Sequence, residues 1–217
     1  MDSRQAHWDH VYVAKPEREL SWFQENPEVS LELIRASGTP KDAAIVDVGG
    51  GAPRLVDALL AEGFCDLTVL DISERALGSA QSRLGSEAAR VRWISTDVTA
   101  WEPARSYDLW HDRAAFHFLT EEVSRQAYAA RVMRAVRPGG HVIIGTFAPN
   151  GPERCSGLPV MRHDAASIGA VLGKRFALIE SRPHGHMTPD GRIQRFQFSL
   201  FRRKESETFE SGGRVSP

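Results

Sequence analysis

One short stretch limits what this chain can fold into. Ala44-Ile45-Val46-Asp47-Val48 is an apolar run with one carboxylate near its end. Gly49-Gly50-Gly51 follows directly, and Arg54-Leu55-Val56-Asp57-Ala58-Leu59-Leu60 then reads as a helix. Glycine permits the dihedrals of a tight turn and lets a ligand approach the backbone with no Cβ in the way. The start of the helix adds free N–H groups and the positive end of its dipole, which favour an anionic group. The stretch reads as a nucleotide-type cofactor site. A dinucleotide fingerprint would require Gly-x-Gly-x-x-Gly or Ala. Gly49 and Gly51 supply its first two glycines, but Arg54 stands at the third, and Asp47 is extra to the pattern.

Downstream, strand and helix patterns alternate. Strands are predicted at Ala44–Val48, Asp66–Asp71, Val91–Thr96, Ser106–His111, Gly140–Phe147, Ala177–Arg182 and Arg195–Arg202. Helices are predicted at about Pro53–Glu62, Glu74–Leu84, Glu121–Val136 and Ala165–Arg175. Such alternation implies an α/β fold, a doubly wound, mostly parallel sheet of seven strands covered on both faces. Only the turn-rich Pro183–Gly191 separates the last two strands, so they form a hairpin and the sheet ends with an antiparallel strand. Residues 1–38 are predicted as an N-terminal helical cap weighted with Trp8, Tyr12, Trp22 and Phe23, within a single domain spanning 1–203. The polar tail 204–217 is expected to be disordered.

At 217 residues the chain can bury one sizeable core. Lys and Arg number 27 against 28 Asp and Glu, so no global field or basic stripe points to nucleic acid or an anionic membrane surface. No apolar run is long enough to cross a bilayer, and the polar start Met1-Asp2-Ser3-Arg4-Gln5 lacks a signal-peptide core. Cys65 and Cys155 make neither a metal-type pair nor a disulfide framework. The expectation is a cytoplasmic protein without a metal.

Asp71 ends the second predicted strand 20 residues beyond Gly51, where a carboxylate can accept from both hydroxyls of a ribose. Asp97 ends the third, so Asp47, Asp71 and Asp97 converge on one rim. The succession Val-Asp-Val-Gly-Gly-Gly, Leu-Asp-Ile-Ser, Thr-Asp-Val, Tyr107-Asp108-Leu109-Trp110-His111 and Arg137-Pro138-Gly139-Gly140 resembles the motif series of class I S-adenosylmethionine-dependent methyltransferases from about Ala44 to Phe147. The resemblance implies S-adenosyl-L-methionine as cofactor. It assigns Asp47, Gly49, Gly50 and Gly51 to the methionine end, Asp71 with Ile72 to the ribose, and Asp97 with Val98 to the adenine. Many members carry a third glycine where this chain has Pro53, which implies a slightly altered loop. As a separate possibility from the residues alone, Asp97 is a turn residue.

A sulfonium favours aromatic faces, and Trp22 with Phe23 would supply one if the cap folds over the site; packing the cap onto the sheet is the alternative. The cap is then expected to act as a lid over a core that folds without it. The rim after the fourth strand offers His111 as a base and Asp112 to orient it, with Arg113 and His117 toward the acceptor. The alternatives are an N-cap for Asp112, an ion pair for Arg113 and packing for His117. The long loop Ala148–Val160 carries Cys155, and the hairpin carries His184, His186, Thr188 and Gln194. Cys155 and His186 are candidates to line the acceptor pocket. The function expected is methyl transfer to S, O or N of a small molecule, a thiol or other soft nucleophile among the options. A protein-lysine acceptor is the alternative, since Trp8, Tyr12 and Ser21-Trp22-Phe23-Gln24 resemble the cap in relatives of small bacterial methyltransferases and of eukaryotic lysine methyltransferases. A non-catalytic S-adenosylmethionine-binding module is a third reading.

Overall fold

The computed structural model describes residues 3–205. Two helices open the chain, α1 (Ser3–Ala14) and α2 (Glu28–Ala36). Then come β1 (Ala44–Val48), α3 (Leu55–Ala61), β2 (Asp66–Asp71), α4 (Glu74–Leu84), β3 (Val91–Ser95) and β4 (Tyr107–Arg113). The remainder is α5 (Glu122–Ala135), β5 (Val136–Phe147), the short β6 (Arg154–Cys155) and β7 (Leu158–Pro159), α6 (Ala165–Leu172), β8 (Phe176–Met187) and β9 (Ile193–Arg203).

Seven strands form one sheet in the order β3-β2-β1-β4-β5-β9-β8. The first five run parallel, and β9 lies antiparallel between β5 and β8. The antiparallel strand is therefore last in the chain but next to last in space, and β8 takes the edge. Strand order reverses between β1 and β4, the place where open α/β sheets bind ligands. Arg137-Pro138-Gly139-Gly140 lies at the start of β5, where the pairing with β4 slips between Tyr107 and Leu109. Gly139 takes φ +79° there, which a glycine allows without strain.

Every residue of β1 is buried, as a parallel strand covered on both sides requires. Ile45, Leu67, Val69, Leu109 and Ile143 pack with α2 and α3 on one face. Val46, Leu70, Trp110, Val142 and Ile144 pack with α5 and α6 on the other. Helix ends obey local rules: Ser73 caps α4 by accepting from the Ala76 N–H at 3.2 Å, and Asp164 with Ser167 forms a capping box on α6.

The expected cap over 1–38 divides into two unlike parts. In α2, Leu33 and Ile34 are almost fully buried in the main core, so this helix belongs to the domain itself. Helix α1 instead lies across the strand ends, its Asp9 accepting from the Ser73 hydroxyl at 2.6 Å. At the other terminus, the Lys204 N–H still donates to the Arg175 carbonyl at 2.8 Å. Most of the tail expected to be disordered, residues 206–217, lies outside the described residues.

Candidate active site

The carboxyl ends of β1, β2 and β4 meet around the glycine loop. Gly49 has φ +70°, and a Cβ there would stand 2.9 Å from the Ala115 Cβ. A Cβ on Gly50 would run into the Asp47 carboxylate. One on Gly51 would stand 2.6 Å from the Ala76 Cβ and 2.9 Å from Asp71 Oδ2. All three glycines are thus held by close approach. The Gly51 N–H donates to Asp71 Oδ2 at 3.0 Å and the Ser73 N–H to Oδ1 at 2.8 Å. Burial pushes the Asp71 carboxyl up to about 6 despite these two donors.

A recess enclosing about 900 Å³, part of it open to solvent, runs over these strand ends. Gly49, Asp71, Ile72, Thr96, Asp97 and Val98 form its floor. Arg4, Trp8 and Tyr12 of α1, with Trp22, form a roof. Trp8 meets Trp22 edge to face at 5.9 Å and Phe118 at 4.9 Å, and Tyr12 meets Trp22 at 6.0 Å, an interlocked geometry that aromatic quadrupoles favour. Asp97 makes the turn: its Oδ1 accepts from the backbone N–H and hydroxyl of Thr99, while Oδ2 pairs with Arg4 at 2.9 Å. That ion pair ties roof to floor. The far end is bounded by Arg113, Phe147, Cys155, Gln194 and Phe196. Cys155 reaches it from a tight β6–β7 hairpin whose turn, Ser156 (φ 48°) and Gly157 (φ 79°), suits strand twist. Burial pushes its thiol up to about 11.

A smaller recess adjoins the first through Gly49, Pro53 and Arg113, and Asp47, Gly50 and His111 line it. His111 Nδ1 lies 2.7 Å from Asp47 Oδ1, and Nε2 lies 2.9 Å from the Ser30 hydroxyl. An ionised Asp47 only accepts, so Nδ1 carries the proton and Nε2 accepts from Ser30. Asp47 Oδ2 is buried without a hydrogen-bond partner.

Several sequence candidates stand elsewhere. Asp112 is fully buried on the opposite face of the sheet from His111, accepting from the N–H groups of Ala115 (2.9 Å) and Phe116 (3.2 Å) and from the Tyr128 hydroxyl (2.8 Å). It caps a turn and does not touch His111 or either recess. Burial lifts its carboxyl to about 6. The reason is strand length: β4 continues to Arg113, and alternation turns Asp112 away. His117 is buried against Phe118 and Phe147, its Nδ1 accepts from the Phe147 N–H at 3.4 Å, and burial pushes it down to about 3. His186 donates from Nε2 to the Ser21 carbonyl at 2.9 Å, joining β8 to the segment before α2. Phe23 lines neither recess and lies under the Arg54 guanidinium.

Other lining residues escaped the sequence reading. Ala114 sits between β4 and the following turn at φ 70°, a left-handed conformation costing a non-glycine residue about 1 kcal/mol. Nothing in a lone alanine signals that. Arg4 contributes because α1 folds across the rim, and Phe118 because the turn after β4 carries it there.

A methyltransferase-domain family model matches residues 45–140. Malonyl-[acyl-carrier protein] O-methyltransferase of Paenibacillus is 29% identical over 118 residues, 52% of this chain and 42% of that protein. Ribosomal RNA small subunit methyltransferase A of Nitrobacter winogradskyi is 34% identical over 71 residues, 33% of this chain and 25% of that one. The chain thus spans less than half the length of these curated relatives. Among solved structures, the 1,6-didemethyltoxoflavin-N1-methyltransferase of Burkholderia thailandensis superposes with a TM-score of 0.67 at 19% identity, covering 94% of this chain and 85% of that one. Residues 45–140, which hold the glycine loop and the strand ends, are thus similar to a methyltransferase domain, and the chain shares its fold with an S-adenosylmethionine-type methyltransferase of known structure.

Proposed function

We propose that the protein binds S-adenosyl-L-methionine across the two recesses and transfers its methyl group to a heteroatom of a small-molecule acceptor. The observation that carries this reading is a pair of buried carboxylates, Asp47 and Asp71, on either side of a glycine loop that touches both. The partnerless Asp47 Oδ2 suits a cationic amino group, and the oxygens of Asp71 keep lone pairs for vicinal hydroxyls. Val98 and Ile72 offer apolar walls to a flat base. When bound, S-adenosylmethionine supplies a methyl carbon on a positively charged sulfur, and an acceptor lone pair takes it as the C–S electron pair returns to sulfur.

What the chain's own residues contribute is positioning and exclusion of water. The roof of Trp8, Tyr12 and Trp22 covers the recess, and Phe147 and Phe196 dry its far end. His111, with both ring nitrogens engaged, orients Asp47 rather than taking a proton from the acceptor. Cys155 stays a thiol at neutral pH and so supplies no base for the acceptor. The covered recess favours a compact molecule over a protein lysine. The nearly balanced charge of 27 basic and 28 acidic side chains argues against a polynucleotide.

Calorimetric titration with S-adenosylmethionine and S-adenosylhomocysteine tests the cofactor. Release of S-adenosylhomocysteine on addition of small thiols, phenols, amines and carboxylates tests the transfer. Absence of cofactor binding would overturn the reading, and binding with no turnover on any class would leave only a binding module.

A further inference from the structure

We infer that Arg113 is a receptor for an anionic group, and that the acceptor is a small molecule carrying a carboxylate. This rests on the reading above and names its substrate class. Arg113 is only 9% exposed, yet among the described residues only one of its five N–H donors is engaged: Nη1 donates to the Trp22 carbonyl at 2.9 Å. Nε and Nη2 are buried with no partner. Among the described residues no carboxylate pairs with it, although most other arginines of the sheet and its helices find one, Arg83 with Asp57 and Glu17 among them. A buried guanidinium left with free donors is costly, and a ligand that pairs with them would offset that cost.

The donors have a direction. Arg113 lines the far end of the main recess beside Cys155 and Phe196, and its guanidinium lies 5.4 Å from the Phe196 ring centroid. The aromatic face supports the fork from one side while the Trp22 carbonyl holds one tip. Nε and Nη2 together are the edge that pairs with both oxygens of a carboxylate in parallel bonds. Burial pulls the guanidinium down only to about 10, so it remains charged at neutral pH. The surrounding Phe147, Phe196 and Trp22 give the rest of the acceptor an apolar slot.

A carboxylate reaches this site from one of two sources, the acceptor or the amino-acid end of the cofactor, because Arg113 also borders the smaller recess. The acceptor is favoured by the position of the guanidinium over Phe196 of β9, at the end of the main recess that Cys155 and Gln194 close.

Calorimetry on the full chain separates the outcomes. S-adenosylhomocysteine is titrated first into wild type. Acetate, malonate, benzoate and phenylacetate, each against its neutral amide, are then titrated into the saturated complex. At least one carboxylate is expected to bind at least tenfold tighter than its amide. Arg113→Gln should abolish that preference and Arg113→Lys should keep part of it, with S-adenosylhomocysteine affinity changed less than threefold in both. S-adenosylhomocysteine binding without any carboxylate preference would overturn the inference alone. A wild type that fails to bind S-adenosylhomocysteine would overturn the cofactor reading, and the inference with it. If Arg113→Gln weakens S-adenosylhomocysteine tenfold or more but leaves its decarboxylated analogue unaffected, the guanidinium serves the cofactor and the inference falls. The wild-type comparison of carboxylate with amide decides even if the glutamine variant folds poorly.

Discussion

Replacing Asp71 by Asn should separate what this side chain does for the fold from what it does for the ligand. Burial carries its carboxyl from the usual range near 4 to about 6, which equates to about 3 kcal/mol borne by the ionised form at neutral pH. Asn removes that burden. It also presents one NH₂ to a backbone donor, because Oδ1 and Oδ2 each accept a main-chain N–H, from Ser73 and Gly51. One buried N–H is then unsatisfied, at about 1–3 kcal/mol. The two effects nearly offset, so Asp71→Asn should be as stable as wild type at pH 7.5 or up to about 2 kcal/mol more so. The folded-state value lies above the unfolded one, so this contribution to wild-type stability is full below about pH 4 and lost as pH rises through about 6. Asp112, raised to about 6, and His117, pushed down to about 3, titrate in both proteins, so urea denaturation should show the stability of the variant relative to wild type rising by about 2 kcal/mol from pH 4.5 to 7.5. Cofactor affinity should behave differently. If the ribose hydroxyls require the ionised carboxylate, wild-type affinity for S-adenosylhomocysteine should fall about tenfold from pH 7 to pH 5. The variant should be about 10–100-fold weaker at pH 7 and lack that slope. Unchanged affinity, or the same pH slope in both proteins, would refute the reasoning.

Gly51→Ala places a methyl 2.6 Å from the Ala76 Cβ, so urea denaturation should show a loss of about 1–3 kcal/mol, with calorimetry showing cofactor affinity reduced at least tenfold. Cys155, a buried thiol at about 11, should react with iodoacetamide at pH 8 far more slowly than exposed Cys65, and more slowly still with S-adenosylhomocysteine present; peptide mass spectrometry over time checks the order. Deleting residues 1–14 should leave a cooperative thermal transition while turnover collapses, because only the roof is lost. Deleting residues 1–37 should abolish the folded near-ultraviolet signal, since Leu33 and Ile34 each bury about 1.5–3 kcal/mol of side chain in the main core.

The sheet was legible because its signals are local. β1, β2 and α4 fall on the residues where alternation of apolar runs and helical spacing put them, and the glycine turn announced the switch point. What stayed hidden depended on where strands stop and on what crosses the rim. The sequence pattern ends β4 at His111, but the strand pairs with β5 through Arg113 opposite Gly145. That extension of two residues sends Asp112 to the Tyr128 face and turns Arg113 toward the recess. The aromatics of the N-terminal segment were conspicuous, yet composition did not reveal that α2 is core and α1 is roof. The ion pair of Arg4 with Asp97 joins residues 93 positions apart, and no periodicity carries it.

The segment leading into α2 is fastened to the sheet by its backbone. The Ser21 carbonyl accepts from His186 of β8 and the Trp22 carbonyl from Arg113 of β4, while the Phe23 N–H closes a turn onto the Leu20 carbonyl at 2.9 Å. None of these bonds involves the Trp22 indole, which hangs into the recess. Position 22 can therefore change in size without unseating the backbone of the segment that carries it, although its ring contacts with Trp8 and Tyr12 would go with it. A single side chain thus shapes both the roof and the width of the recess, while the strands keep hold of the main chain beneath it.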